Sequence, residues 1–443
     1  MKTPLYNFVE KYAKSDVVRM HMPGHKGVGD IEKFDITEIS GADSLYEADG
    51  VIKESETYAS ELFSSSTFYS AEGSSLCIRA MVHLISLYSG VKGVPCKILA
   101  ARNVHRSFIS ALALVDADVE WFLPSDNASY LSSSLDAKFV EKTISAMDEP
   151  PAAVYITSPD YLGGVLPIEE IAEVCHRYGV LLAVDNAHGA YLKFLNPSQH
   201  PIDLGADICC DSAHKTLPVL TGGAYLHISD KAPEIFCRRA KEALALFGST
   251  SPSYLVLSSL DSANGYIASG YTERLMNFKA RVDVAKSKIT DMGYELFGAE
   301  ALKITILAKR YGYSGYELGE LLCRQNIIYE FCDPDYLVLM LTPENTDSDI
   351  DRLLSALSSI ERREPIEIHP PSLTAAEHVM TVREAIFSDS ETVCAKESIG
   401  RVLAAVSVGC PPAVPIVVSG EMIDESSVCA FEYYGIKEVS VVK

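Results

Sequence analysis

The fold is decided by a stretch near the middle of the chain, residues 206–218, which reads ADICCDSAHKTLP. An apolar run that follows Gly205 is succeeded by a cluster of Ser, His, Lys and Thr. This pattern predicts a buried strand whose carboxyl end carries polar side chains into a cleft, where open α/β sheets place their catalytic groups. Lys215 is therefore a candidate imine-forming lysine, because burial or neighbouring cations make such an amine nucleophilic. The alternative is a lysine in a solvated loop.

A second apolar run lies upstream, at residues 179–189, which read GVLLAVDNAHG. Its continuous apolar character is typical of a parallel strand covered on both faces, and the run ends at Asp185. An aspartate in this position can pair with a protonated pyridine nitrogen. A lysine imine with an aspartate partner is the arrangement used for pyridoxal 5'-phosphate (PLP). Without Lys215, a helix N-cap would explain Asp185 equally well.

Length and composition limit the class of protein to which the chain can belong. The chain has 443 residues, of which 48% are hydrophobic and 22% charged, enough for two domains with a substantial core. Its formal net charge of -22 argues against a nucleic-acid partner. The 11 cysteines form no paired framework, which favours a reducing cytoplasm and no metal site. No signal peptide or apolar run of membrane-spanning length is recognised, so we expect no membrane partner.

Two junctions between predicted elements offer cofactor contacts. Residues 70–75, SAEGSS, come directly before an apolar helix. Small residues at a helix start expose backbone N–H groups at the positive end of the helix dipole, so this is a candidate phosphate site or an ordinary helix cap. His105 lies between a strand and a helix that starts near Phe108. Its ring could stack on a flat cofactor or could cap the helix.

Strands alternate with helices from about residue 45 to 270, which implies right-handed βαβ units and a mainly parallel sheet. We therefore predict the α/β class. Helical spacing predicts a helix at Val51–Phe63. A smaller α/β unit follows, with strands predicted at Ala301–Leu307 and Tyr336–Leu341, and the tail carries a predicted helix at Val382–Phe387. The predicted division is an N-terminal arm, a large domain, a small α/β domain and a C-terminal segment, at residues 1–44, 45–270, 271–365 and 366–443.

Together these stretches resemble the ornithine/lysine/arginine decarboxylase family of fold-type I PLP enzymes over nearly the whole chain. The resemblance implies an aspartate aminotransferase-like large domain. It also implies that a basic amino acid is decarboxylated to CO2 and agmatine, cadaverine or putrescine. The matching segments, in the family's order, are HMPGHKG (21–27), DITEISGADSL (35–45), EGSS (72–75), RNVHRS (102–107), TSPDYLGG (157–164), VDNAHGA (184–190), DSAHKTLP (211–218), STSPSY (249–254) and PPAVPIVVSGE (411–421).

The resemblance also implies roles for individual residues. Lys215 would form the imine, His105 would stack on the cofactor ring, Asp185 would hold the pyridinium N–H, and Ala187 would lie against the opposite ring face. Thr250 looks like a phosphate contact donated by the other subunit, which implies a homodimer with a shared active site and leaves a higher oligomer open. The other residues implied around the phosphate are Ser74, Ser75, Ser212 and His214.

Two departures from the family pattern stand out. The inducible members begin with a response-regulator-like wing that has no counterpart in this sequence, so assembly into large rings is not expected to carry over. Asn186 and His188 differ from the residues that some members place around the aspartate. The immediate surroundings of Asp185 are therefore left open.

Several questions stay open at the level of the sequence. After CO2 leaves, His214 or Lys215 would return a proton to Cα. The distal cation of the substrate needs a carboxylate partner, although each available carboxylate is also explained as a surface charge. A different fold-type I PLP enzyme, such as an aminotransferase or lyase, and a non-catalytic PLP-binding relative are the rival functions. The candidate carboxylates are Glu330, Asp333 and Asp335, with Glu47 and Asp49 from a neighbouring chain.

Overall fold

The computed structural model describes residues 1–123, 129–372, 376–405 and 412–443, so Pro411 of the predicted match at 411–421 lies outside the described residues. The helices are α1 (Pro4–Ala13), α2 (Val51–Phe63), α3 (Gly73–Lys92), α4 (Arg106–Val115), α5 (Ala137–Ala146), α6 (Ile168–Arg177), α7 (Ala213–Thr216), α8 (Glu234–Phe247), α9 (Tyr254–Ala268), α10 (Tyr271–Asp291), α11 (Gly315–Cys323), α12 (Asp347–Ser358), α13 (Val382–Phe387) and α14 (Glu425–Tyr433). The strands are β1 (Ser66–Ser70), β2 (Lys97–Ala100), β3 (Asp118–Trp121), β4 (Ala153–Thr157), β5 (Leu181–Asp185), β6 (Ile208–Asp211), β7 (Ala224–Ile228), β8 (Leu296–Phe297), β9 (Lys303–Leu307), β10 (Phe331–Cys332), β11 (Tyr336–Met340), β12 (Ser390–Cys394), β13 (Leu403–Ala405) and β14 (Glu438–Val442).

The chain forms two compact units. The first comprises Met1–Leu99, Ala137–Ser158 and Pro167–Arg274, and the second comprises Ala100–Asp136, Pro159–Leu166 and Leu275–Lys443. The predicted four-part division of the chain stays a prediction.

The first unit is built on a sheet whose hydrogen-bonded strands follow the order β1-β7-β6-β5-β4-β2. Strands β4, β5 and β6 are parallel, and β7 runs antiparallel to both β6 and β1. Every residue of β5 and β6 is buried, as their continuous apolar sequences predict. The predicted α/β class with a mostly parallel sheet is confirmed. Asp185 and Asp211 are the last residues of β5 and β6, so both end at the same edge.

Helix α3 packs against β6, β7 and helix α8 of the first unit. It is the one helix in the described part of the chain whose length and composition would allow it to cross a membrane. The sequence predicts an apolar helix here and no membrane span. The apolar window of α3 is 56% buried inside the protein, which is the behaviour of a core helix.

The second unit contains two small antiparallel sheets. Their strand orders are β10-β11-β9-β8 and β12-β14-β13. Helix α14 packs beside the second of these sheets, where Val428 and Phe431 join a core with Val439 and Val441. Strands β9 and β11 and helix α13 were predicted from the sequence, whereas α14 was not. Helix α4, which follows His105, also belongs to this unit.

Candidate active site

Asp185 lies at the carboxyl end of β5, where its side chain is 2% exposed. Its Oδ1 accepts a hydrogen bond from the backbone N–H of Ala187 at 3.1 Å and faces the thiol of Cys210 at 3.7 Å. A tight turn follows, and the next helical segment is a short 3-10 helix at Ala190–Phe194. Asp185 therefore caps a local turn and not an α-helix. Burial raises the pKa of Asp185, and the nearby positive charge of Lys215 opposes that shift.

Lys215 lies in the single helical turn α7, directly after β6. Its Nζ is 3.0 Å from Nε2 of His188, a buried residue in the turn after β5. The ends of the two neighbouring strands thus bring the lysine and the Asp185 turn together. No role is predicted for His188 from the sequence. The available signal is its position three residues after Asp185, in a turn at the carboxyl edge of the sheet.

His214 precedes Lys215 and contacts the strand β7 side of the loop. Its Nδ1 is 3.0 Å from the carbonyl oxygen of Gly223, so Nδ1–H is the donor of this hydrogen bond. Burial lowers the pKa of His214, which keeps the ring neutral at pH 7. In the neutral ring Nε2 is then an acceptor and carries no proton.

The start of α3 and the end of β6 share a pair of hydroxyl groups. The Ser212 hydroxyl donates to Oγ of Ser74 at 2.7 Å. Gly73 begins the helix with a φ of +72°, and Glu72 at the N-cap position forms no side-chain cap. The first N–H groups of α3, together with these hydroxyls, have the chemistry of an anion site. Ser75 follows Ser74 in the same first turn.

These groups fit PLP in chemical type. An amine, a buried carboxylate and a hydroxyl pair at a helix N-terminus all lie at one edge of one sheet, as a cofactor with an aldehyde, a ring nitrogen and a phosphate requires. Ala187 lies in the turn beside Asp185 and is also buried.

Thr250 lies in an exposed loop between α8 and α9. The backbone N–H of the neighbouring Ser249 donates to Oε1 of Glu72 at 2.6 Å, so this loop is tied to the residue before α3 of the same chain. A contact of Thr250 with another subunit stays a prediction.

His105 belongs to the second unit, where it is the N-cap of α4. Its Nδ1 accepts from the backbone N–H of Ser107 at 3.2 Å. The capping alternative is therefore observed, and the stacking role stays a prediction. The two roles are compatible because capping uses a ring edge whereas stacking uses a ring face.

The loop that carries His105 is held by the C-terminal segment of the same unit. Arg102 forms an ion pair with the buried Glu421 at 2.6 Å. The backbone N–H of Arg106 donates to the carbonyl of Ala413 at 2.8 Å. Sequence reasoning does not find these contacts, because they join residues about 300 positions apart.

The candidate partners of the substrate's distal cation differ in their surroundings. Glu330 is exposed and accepts from the Tyr161 hydroxyl at 2.8 Å. Asp333 is buried, contrary to the surface position that the sequence favours, and burial raises its pKa to about 7. Asp335 forms an ion pair with Lys309 at 2.9 Å. The structure also shows that Glu47 and Asp49 are exposed.

A second group of titratable residues lies on the sheet behind the site. Ligand-type atoms of His200, Cys209 and Asp211 all lie within 4.8 Å of one another, and all three residues are buried. Nε2 of His200 lies at hydrogen-bond distance, 3.1 Å, from the Asp211 carboxylate. Hydrogen bonding accounts for this contact. This group is not predicted from the sequence.

The α/β fold and the lysine-aspartate arrangement define the class of fold-type I PLP-dependent enzymes. Solved structures of this class match the fold. A NifS-like protein has a TM-score of 0.55 at 13% identity, covering 69% of this chain and 86% of that one. A cysteine desulfurase from Thermococcus onnurineus has a TM-score of 0.56 at 13% identity, covering 81% of this chain and 91% of that one. PLP is therefore the expected cofactor.

The chain belongs to the Orn/Lys/Arg decarboxylase family, because the model of that family's major domain matches residues 3–292. The arginine decarboxylase of Halalkalibacterium halodurans is 30% identical over 96% of this chain and 92% of that protein. The arginine decarboxylase of Bacillus subtilis is 28% identical over the same shares of the two chains. A lysine decarboxylase from Francisella novicida has a TM-score of 0.81 at 18% identity, covering 100% of this chain and 81% of that one. The protein is therefore an enzyme of the basic amino acid decarboxylase family.

Proposed function

We propose that this enzyme is a PLP-dependent decarboxylase with arginine as the first substrate to test. The observation that carries the proposal is the meeting of Lys215 with the Asp185 turn through His188, at 3.0 Å, at the carboxyl edge of β5 and β6. The relatives from Halalkalibacterium halodurans and Bacillus subtilis are both named arginine decarboxylases, which favours arginine over lysine and ornithine as the substrate. Putrescine and cadaverine remain the products of the alternatives.

Bound PLP supplies an electron sink for the negative charge that CO2 loss leaves on Cα. Lys215 would hold the cofactor covalently, and Asp185 would keep the proton on its ring nitrogen. A carboxylate in this dry position is electrostatically effective because no water competes with it. Ala187 and His105 would contact the two faces of the ring.

The phosphate would be held by the start of α3. Ser74 and Ser212 offer hydroxyl groups 2.7 Å apart, and Ser75 extends the same turn. His214 and Thr250 complete the proposed set. Fixing the cofactor in this way removes much of the orientational cost of aligning the scissile bond with the ring.

Lys215 is the better candidate for returning a proton to Cα. The Nε2 atom of His214 is an acceptor, because the ring is neutral and its Nδ1–H donates to Gly223. The amine of Lys215, in contrast, lies 3.0 Å from His188, a group that can hold or replace its proton. We therefore assign the proton to Nζ of Lys215.

The distal cation of the substrate is assigned to Glu330. Its carboxylate is exposed, and the Tyr161 hydroxyl orients one oxygen. A guanidinium ion could bind such a carboxylate by two parallel hydrogen bonds. Oδ1 of Asp335 pairs with Lys309, and Oδ1 of Asp333 accepts hydrogen bonds from two backbone N–H groups. The Oδ2 atoms of both residues are shielded from solvent, whereas Glu330 is exposed, so we prefer Glu330.

The test is product analysis after separate incubation with arginine, lysine and ornithine. We expect CO2 and agmatine from arginine, and slower or no release from the other two. Cadaverine or putrescine as the main product would identify lysine or ornithine, and not arginine, as the substrate. A keto acid without CO2 would indicate an aminotransferase, and PLP binding without any turnover would indicate a non-catalytic relative.

Lys215→Ala is the matching loss-of-function variant. We expect it to abolish CO2 release and the visible absorbance band of bound PLP, because no other amine is placed at this edge of the sheet by the contacts described. Retention of either property at the wild-type level would contradict the role of Lys215. Glu173→Ala, at an exposed position of α6, serves as the control for folding.

A further inference from the structure

Asp211, a buried residue at the end of β6, is hydrogen-bonded to the turn that follows β5. Asp211 is 0% exposed. Its Oδ1 accepts from Nδ2 of Asn186 at 2.6 Å. Its Oδ2 is 3.1 Å from Nε2 of His200 and 3.2 Å from Nε2 of His227. One carboxylate therefore joins the Asp185 turn to two histidines of the core.

The polarity of these hydrogen bonds follows from the surroundings of His227. Burial lowers the pKa of His227, so the ring is neutral. Its Nε2 faces the Asp211 carboxylate, which only accepts, so the ring proton lies on Nε2 and Nδ1 accepts from the Thr67 hydroxyl at 2.9 Å. Although burial acts to raise the pKa of Asp211, the two histidines hold it well below its usual range. Asp211 is thus an ionised acceptor of up to three hydrogen bonds.

Asn186 fills the inside of the turn at residues 185–189. A Cβ atom on Gly189 would lie 2.0 Å from Oδ1 of Asn186, so only glycine fits opposite this side chain. The backbone N–H of Gly189 also donates to the carbonyl of Asn186 at 2.8 Å. The position of the Asn186 side chain therefore sets the path of the turn that carries Asp185 and His188.

We propose that Asp211 is a positioning residue of the active site: held by His200 and His227, it fixes Asn186 and through it the turn that presents Asp185, Ala187 and His188. The catalytic consequence of this inference rests on the function proposed above. The proposal also gives a role to Asn186, which departs from the family pattern beside Asp185. A charged acceptor is needed there, because a hydrogen bond to an ionised group is about twice as strong as a neutral one.

The chain offers a matched control in Asp207, a buried aspartate just before the amino end of the same strand. Asp207 accepts from the backbone N–H of Leu182 at 2.8 Å and lies 3.1 Å from Nε2 of His176. Asp207→Asn and Asp211→Asn thus remove one buried charge each, both paired with histidine. Only Asp211 contacts the turn after β5.

Hydrogen exchange of residues 185–189 in the full-length chain before PLP is added tests the positioning directly. We expect exchange about tenfold faster in Asp211→Asn than in wild type, the loss typical of one hydrogen bond to a charged group, and no change in Asp207→Asn. Asn186→Ala, which leaves the two histidine contacts in place, should reproduce the effect if Asp211→Asn does not fold. Unchanged exchange in both variants, or an equal effect from Asp207→Asn, would overturn the proposal.

The PLP-loaded enzyme gives a second readout. We expect Asp211→Asn to lower kcat about tenfold with KM little changed, and to shift the pH at which the visible PLP band titrates, because the lysine and its His188 partner are no longer fixed. A stoichiometric metal ion in the purified protein would also overturn the proposal, because a metal would use the Nε2 lone pairs that must instead bear protons. The exchange result does not depend on decarboxylation, so failure of this inference and failure of the proposed function are separable.

Discussion

Asp185 and Asp211 end neighbouring parallel strands, yet their environments act on them in opposite directions. Burial raises the pKa of Asp185, whereas two histidines hold the pKa of Asp211 below its usual range. The difference lies in the kind of partner: besides one backbone N–H, Asp185 faces the Cys210 thiol and the Tyr155 side chain, whereas Asp211 faces two imidazole rings and an amide. A buried carboxylate without imidazole partners is suited to pair with a cationic ligand, and one held by two histidines is suited to hold structure.

The first prediction at the scale of the residue concerns Asp185→Asn. We expect PLP to remain bound while kcat falls by about 10²–10³, because the amide no longer stabilises a positive charge on the ring nitrogen. Spectroscopic titration with PLP and a CO2-release assay measure the two quantities. Asp207→Asn is the control, and a wild-type rate in Asp185→Asn would mean that another group keeps the ring protonated.

A second prediction follows from Asp333. Its pKa is about 7 in the folded protein, against an ordinary value of 3.8. Between these values the folded state binds a proton that the unfolded state has lost, so the free energy of unfolding decreases as pH rises towards 7. Asp333→Asn should remove about 2 kcal/mol of this decrease between pH 5 and 8. Chemical denaturation at both pH values measures it. An identical pH dependence in Asp333→Asn and wild type would contradict the pKa assignment, and the exposed Asp351→Asn is the control.

At the scale of the element, the start of α3 is the candidate anion-binding site of the first unit. The first N–H groups of a helix have no partner within the helix, and the side chain of Glu72 does not cap those of α3. The N–H of Gly73 donates to the carbonyl of Gly222 at 2.7 Å, so the groups offered to an anion lie beyond Gly73. Helix α12 starts differently. Thr346 and Asp349 close its first turn by a reciprocal capping box. The contrast between a capped and an uncapped start separates a structural helix end from a candidate binding end.

Placing a negative charge at each of the two helix starts tests this contrast. Ser74→Asp should weaken PLP binding by at least about 30-fold, because a carboxylate would stand beside the cofactor's phosphate in a partly buried position. Thr346→Asp introduces the same group where aspartate is a good N-cap, and should leave PLP affinity unchanged. Equilibrium titration followed by absorbance gives both dissociation constants. Equal affinities for Ser74→Asp and wild type would place the phosphate elsewhere.

At the scale of the whole molecule, the open question is whether one chain completes a site. Thr250 is exposed, and its loop is tied to Glu72 of its own chain. The family resemblance instead implies that Thr250 serves the partner's site in a homodimer. The two arrangements predict different activities for dimers formed from two different variants.

Co-expression of Lys215→Ala with Thr250→Asp distinguishes them. If Thr250 acts across a dimer, half of the dimers are hybrids with one intact site, and about a quarter of wild-type activity returns. If Thr250 serves its own chain, the hybrid has no intact site and no activity returns. Analytical ultracentrifugation should show a mass twice that of one chain, and a monomer would exclude the shared site.

Elements whose signals are local could be predicted from the amino-acid sequence alone. The apolar spacing of Val51–Phe63 predicts α2 with its observed bounds, and continuous apolar runs predict β5 and β6. These patterns suffice because helical and strand periodicities are properties of neighbouring residues. Helix α14 was not predicted, because its apolar residues at 428–431 are consecutive in the sequence and show no helical spacing.

The contacts that hold the site residues in place could be seen only in the tertiary structure. The contact of Ser74 with Ser212 spans 138 positions, that of His188 with Lys215 spans 27, and that of Asn186 with Asp211 spans 25. Such pairs leave no periodic trace, because they depend on strand order and register, which are settled when the sheet assembles. The identity of the reacting groups could therefore be predicted from their places at strand ends, whereas their partners, burial and charge required the folded chain.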